Sequence, residues 1–265
     1  MLHSQCYGDK ANPALVLLHG FLGSGNDWQA LLGELSQHYY CITLDLPGHG
    51  ATDWQLTQSP AFAECAALVQ QSVLALGITQ YHLLGYSLGG RIALHVAAEF
   101  GANLLSLQLE SCHPGLQNSL ERQTRAESDG RWQKRLSQHS MREFLAAWYQ
   151  QPVFAELTEQ QREALIVQRE QQNQQALLAM YAGTSLALQQ PLWQLPQQLS
   201  CPVHYYYGAQ DAKFSALART WQQTAPLHLH AVANVGHNCH KGQPAAFLAQ
   251  LLPNLNTIAE NTHDA

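Results

Sequence analysis

The chain has 265 residues, of which 46% are hydrophobic and 12% are charged, and it carries a formal net charge of −6. This length suffices for one α/β domain with an insertion. The negative balance, with no basic stripe in the sequence, argues against nucleic acid as a partner, and no apolar run approaches the ~18 residues that a membrane span needs.

The chain start and the cysteines indicate the compartment. Met1 to Cys6 contain neither a charged region nor an apolar stretch, so no signal peptide is visible and we expect a cytoplasmic protein. The six cysteines show no C-x-x-C spacing and are interpreted as reduced thiols. His237, Cys239 and His240 are close in sequence, but no second ligand cluster has matching spacing, and we expect no metal.

Strand and helix patterns alternate through the first part of the chain. Short continuous apolar runs are typical of strands buried on both faces of a parallel sheet, and helical spacing follows them. Strands are predicted at residues 15–18, 39–44, 81–85 and 104–109, and helices at 27–35, 61–76 and 91–98. This alternation predicts an α/β fold with a mostly parallel central sheet and helices on both of its faces.

The alternation stops after residue 112. From 113 to about 190 the chain shows only polar or amphipathic helical patterns, rich in Gln, which predicts a helical cap over the strand ends. We therefore predict a core domain formed by 1–112 and 191–265, and a cap formed by 113–190. In the second part of the core, strands are predicted at 203–208 and 227–232, helices at 215–223 and 242–252, and a loose tail after Pro253.

The most informative motif is G-x-S-x-G, formed by Gly85, Ser87 and Gly89 between a predicted strand and a predicted helix. A serine at so sharp a turn has strained backbone angles, and small residues two positions before and after it let strand and helix pass closely. The turn exposes the Ser87 hydroxyl and directs the first helical N–H groups to the same space, which suits a developing negative charge. This context predicts that Ser87 takes part in chemistry.

A serine hydroxyl needs an imidazole to take its proton and a carboxylate to orient that imidazole. Asp211 and His237 each follow a predicted strand, and the order Ser87, Asp211, His237 matches the triad of α/β-hydrolases. Glu110 also follows a predicted strand and stays open as a rival acid. In that case Asp211 would be a solvated or helix-capping residue.

Two backbone N–H groups would stabilise an oxyanion at this site. Leu88 N–H directly follows the nucleophile, and Phe21 N–H lies in a glycine-bounded loop after the first predicted strand. His19, in the same loop, is expected to brace it rather than to take part in chemistry.

The chain apart from its tail resembles the α/β-hydrolase-fold family of 2-succinyl-6-hydroxy-2,4-cyclohexadiene-1-carboxylate synthases of menaquinone biosynthesis. The superfamily resemblance rests on L-x-H-G-F, D-L-P-G-H-G, G-Y-S-L-G-G-R, G-x-x-D and G-H, and the family resemblance on segments 110–117, 148–154 and 211–214. It implies a lyase that removes the proton α to a ketone and expels pyruvate, with Ser87, His237 and Asp211 abstracting the proton. No metal, nucleotide or flavin cofactor is implied. Ser111-Cys112 departs from the glycine-type residues expected there, which leaves the local backbone geometry open.

The substrate implied by this resemblance carries three carboxylates, which are costly to transfer into a closed pocket without cations. Arg91 is one helical turn past Ser87, and Arg125 and Arg169 are the family's matching cap positions. Each arginine could instead lie on a solvated face, and the aromatic residues could belong to the core. The residues assigned to substrate binding are Tyr86, Arg91, Arg125, Trp148, Arg169 and Lys213.

Two other functions are compatible with these motifs. A serine hydrolase of a small carboxylated ester or of a carbon–carbon bond would use the same residues, and a non-catalytic small-molecule binding protein would keep only the cavity. The complete triad pattern disfavours the binding protein. The expected partner is a small anionic substrate with several carboxylates, without nucleic acid or membrane, and the protein is expected to be a monomer.

Overall fold

In a computed structural model, which describes residues 1–256, the chain forms a seven-stranded sheet with the order β1-β3-β2-β4-β5-β6-β7. Neighbouring strands are parallel except β1 and β3, which are antiparallel, so the predicted mostly parallel sheet is confirmed. The strands are β1 (Ser4–Tyr7), β2 (Ala14–Leu18), β3 (Tyr40–Leu44), β4 (Tyr81–Tyr86), β5 (Leu104–Glu110), β6 (Val203–Gly208) and β7 (His228–Val232).

Helices cover both faces of this sheet and fill the long segment between β5 and β6. The helices are α1 (Gln29–Leu35), α2 (Phe62–Ala75), α3 (Leu88–Phe100), α4 (Ser119–Gln138), α5 (Met141–Trp148), α6 (Glu159–Arg169), α7 (Gln174–Gly183), α8 (Ala212–Gln222), α9 (Cys239–Gly242) and α10 (Pro244–Asn256). None of the helices within residues 1–256 is both long and apolar enough to span a membrane.

Strand β2 shows why the sheet strands are apolar at every position. Leu15 and Leu17 belong to one buried cluster with residues of α1 and α10, whereas Val16 and Leu18 belong to another with residues of α2 and α3. All four side chains are fully buried. Because successive side chains of a strand point to opposite faces, a strand covered on both sides needs an apolar residue at each position.

Residues 113–190, called the insertion below, contain α4 to α7. Their apolar side chains form a separate buried cluster that includes Phe144, Leu145 and Leu177. This cluster also takes in Leu22 from the loop after β2, so the insertion packs against the edge of the sheet where the parallel strands end. Helices α5 and α6 both begin with a capping box, which satisfies their first backbone N–H groups without help from the core.

The sequence does not predict the edge strand β1. Its four residues contain no apolar run, and the ends of the strand are half-buried while its middle is exposed. The strand exists because its backbone pairs with β3, from Ser4 opposite Leu44 to Tyr7 opposite Cys41. Such pairing through the main chain leaves little trace in side-chain pattern.

Several predicted helix boundaries are wrong, and α3 begins at Leu88 rather than at 91. Helix α8 begins at Ala212 rather than at 215, because the Asp211 carboxylate accepts a hydrogen bond from Phe214 N–H and caps the helix. The last predicted helix is two helices, and α10 continues past Pro253 to Asn256, since Leu255 is buried in the same cluster as α1. The loose tail therefore does not begin after Pro253, and residues 257–265 of that predicted tail lie outside the described residues.

Candidate active site

Ser87 lies in a sharp turn between β4 and α3, with φ 50° and ψ −107°. A side chain at Gly85 would place its Cβ 2.5 Å from the Gly89 carbonyl oxygen, so the strand and the helix can approach this closely only without it. The Ser87 N–H donates a hydrogen bond of 2.9 Å to the Glu110 carbonyl of the neighbouring strand. The turn therefore holds the hydroxyl above the carboxyl end of the sheet.

His237 and Asp211 are brought together by the loops after β7 and β6. His237 Nδ1 lies 3.0 Å from Asp211 Oδ2, and the two side chains are 9% and 10% exposed. Burial raises the pKa of Asp211, but hydrogen bonds from His237 and from Phe214 N–H outweigh burial and hold it below its ordinary value. Asp211 is therefore an ionised partner that can orient the His237 ring.

The imidazole lies beside the serine turn. The His237 ring centroid is 5.5 Å from that of Tyr86, the residue directly before Ser87, and 4.7 Å from that of Phe214. Within residues 1–256, neither the Ser87 hydroxyl nor His237 Nε2 forms a hydrogen bond in this structure. Both atoms are thus available to a reacting molecule.

Two backbone donors lie near the same turn. A Cβ at Gly20 would be 3.6 Å from Ser87 Cβ, which puts the loop containing Phe21 directly against Ser87. Neither Phe21 N–H nor Leu88 N–H donates a hydrogen bond to another part of the described chain. Unpaired N–H groups beside a nucleophile are the arrangement that an oxyanion requires.

The loop that carries Phe21 is held by two neutral histidines. His19 Nδ1 lies 2.7 Å from Gly20 O and its Nε2 accepts from Leu46 N–H, as expected for a bracing residue. His49 Nε2 in turn accepts from Leu22 N–H at 3.0 Å. Burial lowers the pKa of both rings, that of His49 to about 3, so they stay neutral and can accept these hydrogen bonds.

Glu110, the rival acid, does not contact His237. Its side chain is fully buried and lies 2.7 Å from His240 Nδ1. Its other oxygen accepts hydrogen bonds from Cys239 N–H and His240 N–H. The carboxylate on His237 is therefore that of Asp211.

Three of the six residues assigned to substrate binding form one cationic group, called the cation cluster below: Arg91, Arg125 and Lys213. Burial, and then the charge of Arg125, lower the pKa of Arg91 to about 10 and also lower the pKa of Lys213. Burial lowers the pKa of His113 to about 3, with all three cations as further causes. Because the cations also contribute to one another's shifts, they lie near one another.

One carboxylate lies in the cation cluster. Asp129 is 2% exposed and accepts hydrogen bonds from Arg125 Nε at 2.8 Å, from Tyr181 OH and from Ser185 Oγ. Arg91 Nη1 donates to the Thr184 carbonyl at 2.7 Å, which leaves its charge without a carboxylate. Asp211 is a second carboxylate near Lys213, so three cations face two carboxylates and the cluster has an excess of one positive charge.

Arg169 lies in a different environment, at the end of α6. Its guanidinium donates to Tyr149 OH and lies 3.2 Å from Asp27 Oδ2, and the side chain is almost completely buried. Lys241 Nζ contacts the same Asp27 carboxylate at 2.6 Å. Burial raises the pKa of Asp27, but Arg169 and Lys241 lower it to about 2. The sequence interpretation missed Asp27 and Lys241. Asp27 is 142 positions from Arg169 and 214 positions from Lys241, and no local pattern marks contacts over such separations.

Of the two aromatic residues assigned to substrate binding, Trp148 is half-buried and Tyr86 is buried. Trp148 packs edge-on against Phe21 and Tyr181 with centroid distances of 5.3 and 5.6 Å, so it joins the insertion to the loop after β2. Tyr86 is buried between the His237 and His240 rings, and burial raises the pKa of its phenol. Both therefore line the region around Ser87.

Glu156, in the insertion, contacts the loop after β7 that carries His237. Its carboxylate accepts a short hydrogen bond from Gly236 N–H, next to His237. The sequence interpretation missed this residue, because an exposed glutamate in a polar helical segment has no distinguishing pattern. Within residues 1–256, no group of three or more His, Cys, Asp or Glu side chains is placed to hold a metal ion.

Comparison with known proteins gives a family and a fold. The family model described as alpha/beta hydrolase fold matches residues 13–243. The chain is 41% identical over 256 residues to the 2-succinyl-6-hydroxy-2,4-cyclohexadiene-1-carboxylate synthase of Salmonella typhimurium, covering 95% of this chain and 99% of that protein. It is 42% identical over 258 residues to the protein of the same name from Salmonella agona, with the same coverage. The solved structure of MenH from S. aureus is similar with a TM-score of 0.90 at 25% identity, covering 98% of this chain and 100% of that one.

Proposed function

This chain belongs to the α/β-hydrolase-fold family of 2-succinyl-6-hydroxy-2,4-cyclohexadiene-1-carboxylate synthases, and from that premise we propose its reaction and mechanism. The protein eliminates pyruvate from 2-succinyl-5-enolpyruvyl-6-hydroxy-3-cyclohexene-1-carboxylate. The product is 2-succinyl-6-hydroxy-2,4-cyclohexadiene-1-carboxylate, an intermediate of menaquinone biosynthesis.

The proton is removed by the serine and the imidazole acting together. Ser87 Oγ takes the proton from the carbon α to the succinyl ketone while His237 Nε2 accepts the hydroxyl proton, and Asp211 stabilises the imidazolium. The contact of 3.0 Å between His237 Nδ1 and Asp211 supports this division of roles, because it leaves Nε2 directed away from the acid. Ser87 does not form a covalent intermediate in this scheme.

The electrons of the broken C–H bond move first to the ketone oxygen. Phe21 N–H and Leu88 N–H donate to the enolate oxygen as its charge develops, and each such donor is typically worth about 3–4 kcal/mol in the transition state. When the enolate collapses, a ring C=C bond forms and the C–O bond to the enolpyruvyl group breaks. The proton held by His237 then passes to the leaving group, which becomes pyruvate.

The observation that carries the choice of substrate is the excess positive charge of the cation cluster. Arg91, Arg125 and Lys213 have two carboxylates near them, that of Asp129 and, beside Lys213, that of Asp211, which is already engaged by His237. Like charges held close together with fewer carboxylates than cations are costly for a free protein. A substrate with three carboxylates would remove that cost on binding, whereas a neutral ester would not.

In this proposal Arg91, Arg125 and Lys213 bind substrate carboxylates, and Tyr86 and Trp148 line the pocket. Arg169 is already paired with Asp27 and Tyr149, so its contribution to substrate binding is the weakest of the six. The insertion acts as a cap over the site, since Leu22, Glu156 and Trp148 connect it to the loops around Ser87.

Incubation with the enolpyruvyl substrate, with pyruvate followed through a coupled reductase, tests the reaction. We expect turnover in the parent protein and loss of most turnover in Ser87→Ala, with unchanged thermal unfolding because the serine hydroxyl makes no packing contact of note. Short p-nitrophenyl esters serve as the second substrate. Fast ester hydrolysis without pyruvate release would establish a serine hydrolase instead, and binding without turnover of either would establish a binding protein.

A further inference from the structure

We propose that Glu110 is the positioning residue of the reacting pair, the one residue that fixes Ser87 and His237 relative to each other. Its backbone carbonyl holds the Ser87 turn, and its carboxylate holds the loop that follows His237. This inference rests on the proposed roles of Ser87 and His237 but does not depend on the identity of the substrate.

The backbone of Glu110 holds the serine turn. Its carbonyl accepts the Ser87 N–H at 2.9 Å, directly where β4 and β5 end with Tyr86 opposite Glu110. The residue is also in register with Tyr206 on β6, so both neighbouring strands fix its position. A backbone group held on two sides is a rigid reference point for Ser87.

The carboxylate of Glu110 holds the loop after His237. One oxygen accepts from Cys239 N–H at 2.6 Å and from His240 N–H at 3.2 Å, and the other lies 2.7 Å from His240 Nδ1. Hydrogen bonds to an ionised carboxylate are about twice as strong as neutral ones. Three of them on one carboxylate fix the segment that begins two residues after His237.

The His240 ring extends this support but is not placed to react. It stacks on Trp28 with centroids 4.1 Å apart, contacts Tyr86 at 4.9 Å, and is 1% exposed. Its Nε2 atom has no hydrogen-bond partner among the described residues. The pair therefore lacks the access to solvent or substrate that a proton-transferring pair needs.

Two acceptor oxygens are needed at position 110, because two buried backbone N–H groups converge on one of them and His240 Nδ1 contacts the other. Removal of the acceptor shared by the two N–H groups would leave both donors unsatisfied, which typically costs about 1–3 kcal/mol for each. Glu110→Gln keeps one acceptor oxygen but replaces the other with an amide, which cannot accept from His240 Nδ1. This substitution therefore loosens the loop while it retains the shape of the side chain.

The test is the rate at which a fluorophosphonate probe labels Ser87, measured across pH, because this rate depends on how the imidazole is placed relative to the serine and not on substrate carboxylates. We expect Glu110→Gln to slow labelling by about 10- to 100-fold, the range that a misplacement near 1 Å produces. For pyruvate release, kcat should fall by a similar factor with KM nearly unchanged.

His82→Asn is the matched control. His82 is a buried histidine of the same sheet, 2.7 Å from Ser106 Oγ, and lies at the start of β4 rather than at its reacting end. This variant should lower the unfolding temperature and leave labelling at the parent rate. If Glu110→Gln also labels at the parent rate, Glu110 is only a structural residue and the proposal is wrong.

His240→Asn tests the proposal even if Glu110→Gln does not fold. It removes the ring between Trp28 and Tyr86, and we expect labelling to slow about 3- to 10-fold, since the two backbone hydrogen bonds to Glu110 remain. Unchanged labelling in this variant would overturn the role of the side-chain pair. Labelling of the parent without pyruvate release would defeat the proposed reaction and leave this inference standing.

Discussion

Two carboxylate–imidazole pairs lie at the carboxyl ends of neighbouring strands, one at the surface of the site and one beneath it. Asp211 and His237 are 3.0 Å apart and about one-tenth exposed, whereas Glu110 and His240 are 2.7 Å apart and inaccessible. The hydrogen-bond geometry of the two pairs is alike, and their histidines are three residues apart. What separates them is whether the second ring nitrogen can meet a reacting molecule. A carboxylate–imidazole contact alone therefore does not identify a catalytic pair.

The two pairs should respond in opposite ways to the same substitution. We expect His237→Asn to lower kcat/KM for pyruvate release by at least about 10³-fold, because it removes the proton acceptor, with little change in the unfolding temperature. His240→Asn should instead lower the unfolding temperature clearly and reduce kcat only about 3- to 10-fold, in step with the slower labelling expected of this variant. Steady-state kinetics and thermal unfolding of both variants measure this. Equal losses of activity in the two variants would show that the two pairs do not differ in function.

The surface pair lies beside Lys213 of the cation cluster, which also contains Arg91. Arg91→Gln should lower kcat/KM for the carboxylated substrate by about 10- to 100-fold, the worth of a charged hydrogen bond, and leave hydrolysis of a neutral ester nearly unchanged. The matched control is Arg142→Gln, an exposed insertion arginine paired with Glu163 and Glu170. Its effect should be less than about twofold. Equal losses on both substrates would make Arg91 a structural residue.

Burial of imidazole, which sets the two pairs apart, also has a measurable effect on stability. Burial lowers the pKa of His82 to about 4 and that of His49 to about 3. Below pH 6.5 the unfolded chain binds protons that these folded rings do not. The free energy of unfolding therefore falls as the pH is lowered from 6.5 towards 4, by up to about 1.4 kcal/mol per pH unit for each ring.

Urea unfolding at pH 7 and pH 5 measures this dependence. In His82→Asn one of the titrating rings is gone, so the loss of stability between the two pH values should be smaller than in the parent. An identical loss in parent and variant would show that His82 is protonated in the folded protein as readily as in the unfolded chain.

The smallest expected effect concerns Ser111, directly after Glu110. It has φ 47°, a left-handed conformation that disfavours residues with a side chain, and its buried hydroxyl has no partner among the described residues. Glycine avoids this strain but gains entropy in the unfolded chain, so Ser111→Gly should stabilise the fold by about 0.5–1 kcal/mol. Thermal unfolding measures the gain, and kcat should not change. A lower unfolding temperature would show that the serine side chain supports the turn.

The sequence was sufficient for the features that have a local pattern. The parallel sheet follows from continuous apolar runs, and the Ser87 turn follows from glycines at fixed spacing between a strand and a helix. The choice between Asp211 and Glu110 could not be made in this way, since both residues follow buried strands and reach the same edge of the sheet. That choice depends on where a later loop lies in space.

Contacts between distant segments were the other part that the sequence did not reveal. Arg169 was assigned to the substrate from its position alone, but its ion pair with Asp27 joins residues 142 positions apart. The Glu156 contact with Gly236 N–H spans 80 positions. Strand β1 was missed for a related reason, because its formation depends on main-chain pairing with β3 and not on its own side chains.

The contacts of Glu110 connect residues about 130 positions apart, across the whole insertion and two further strands. Closing so long a loop is slow compared with forming local helices and adjacent strands. During refolding, helical circular dichroism should therefore return before fluorophosphonate reactivity does. A nascent chain that ends before residue 237 would already carry the serine turn, yet it would be inert until its last helices are made.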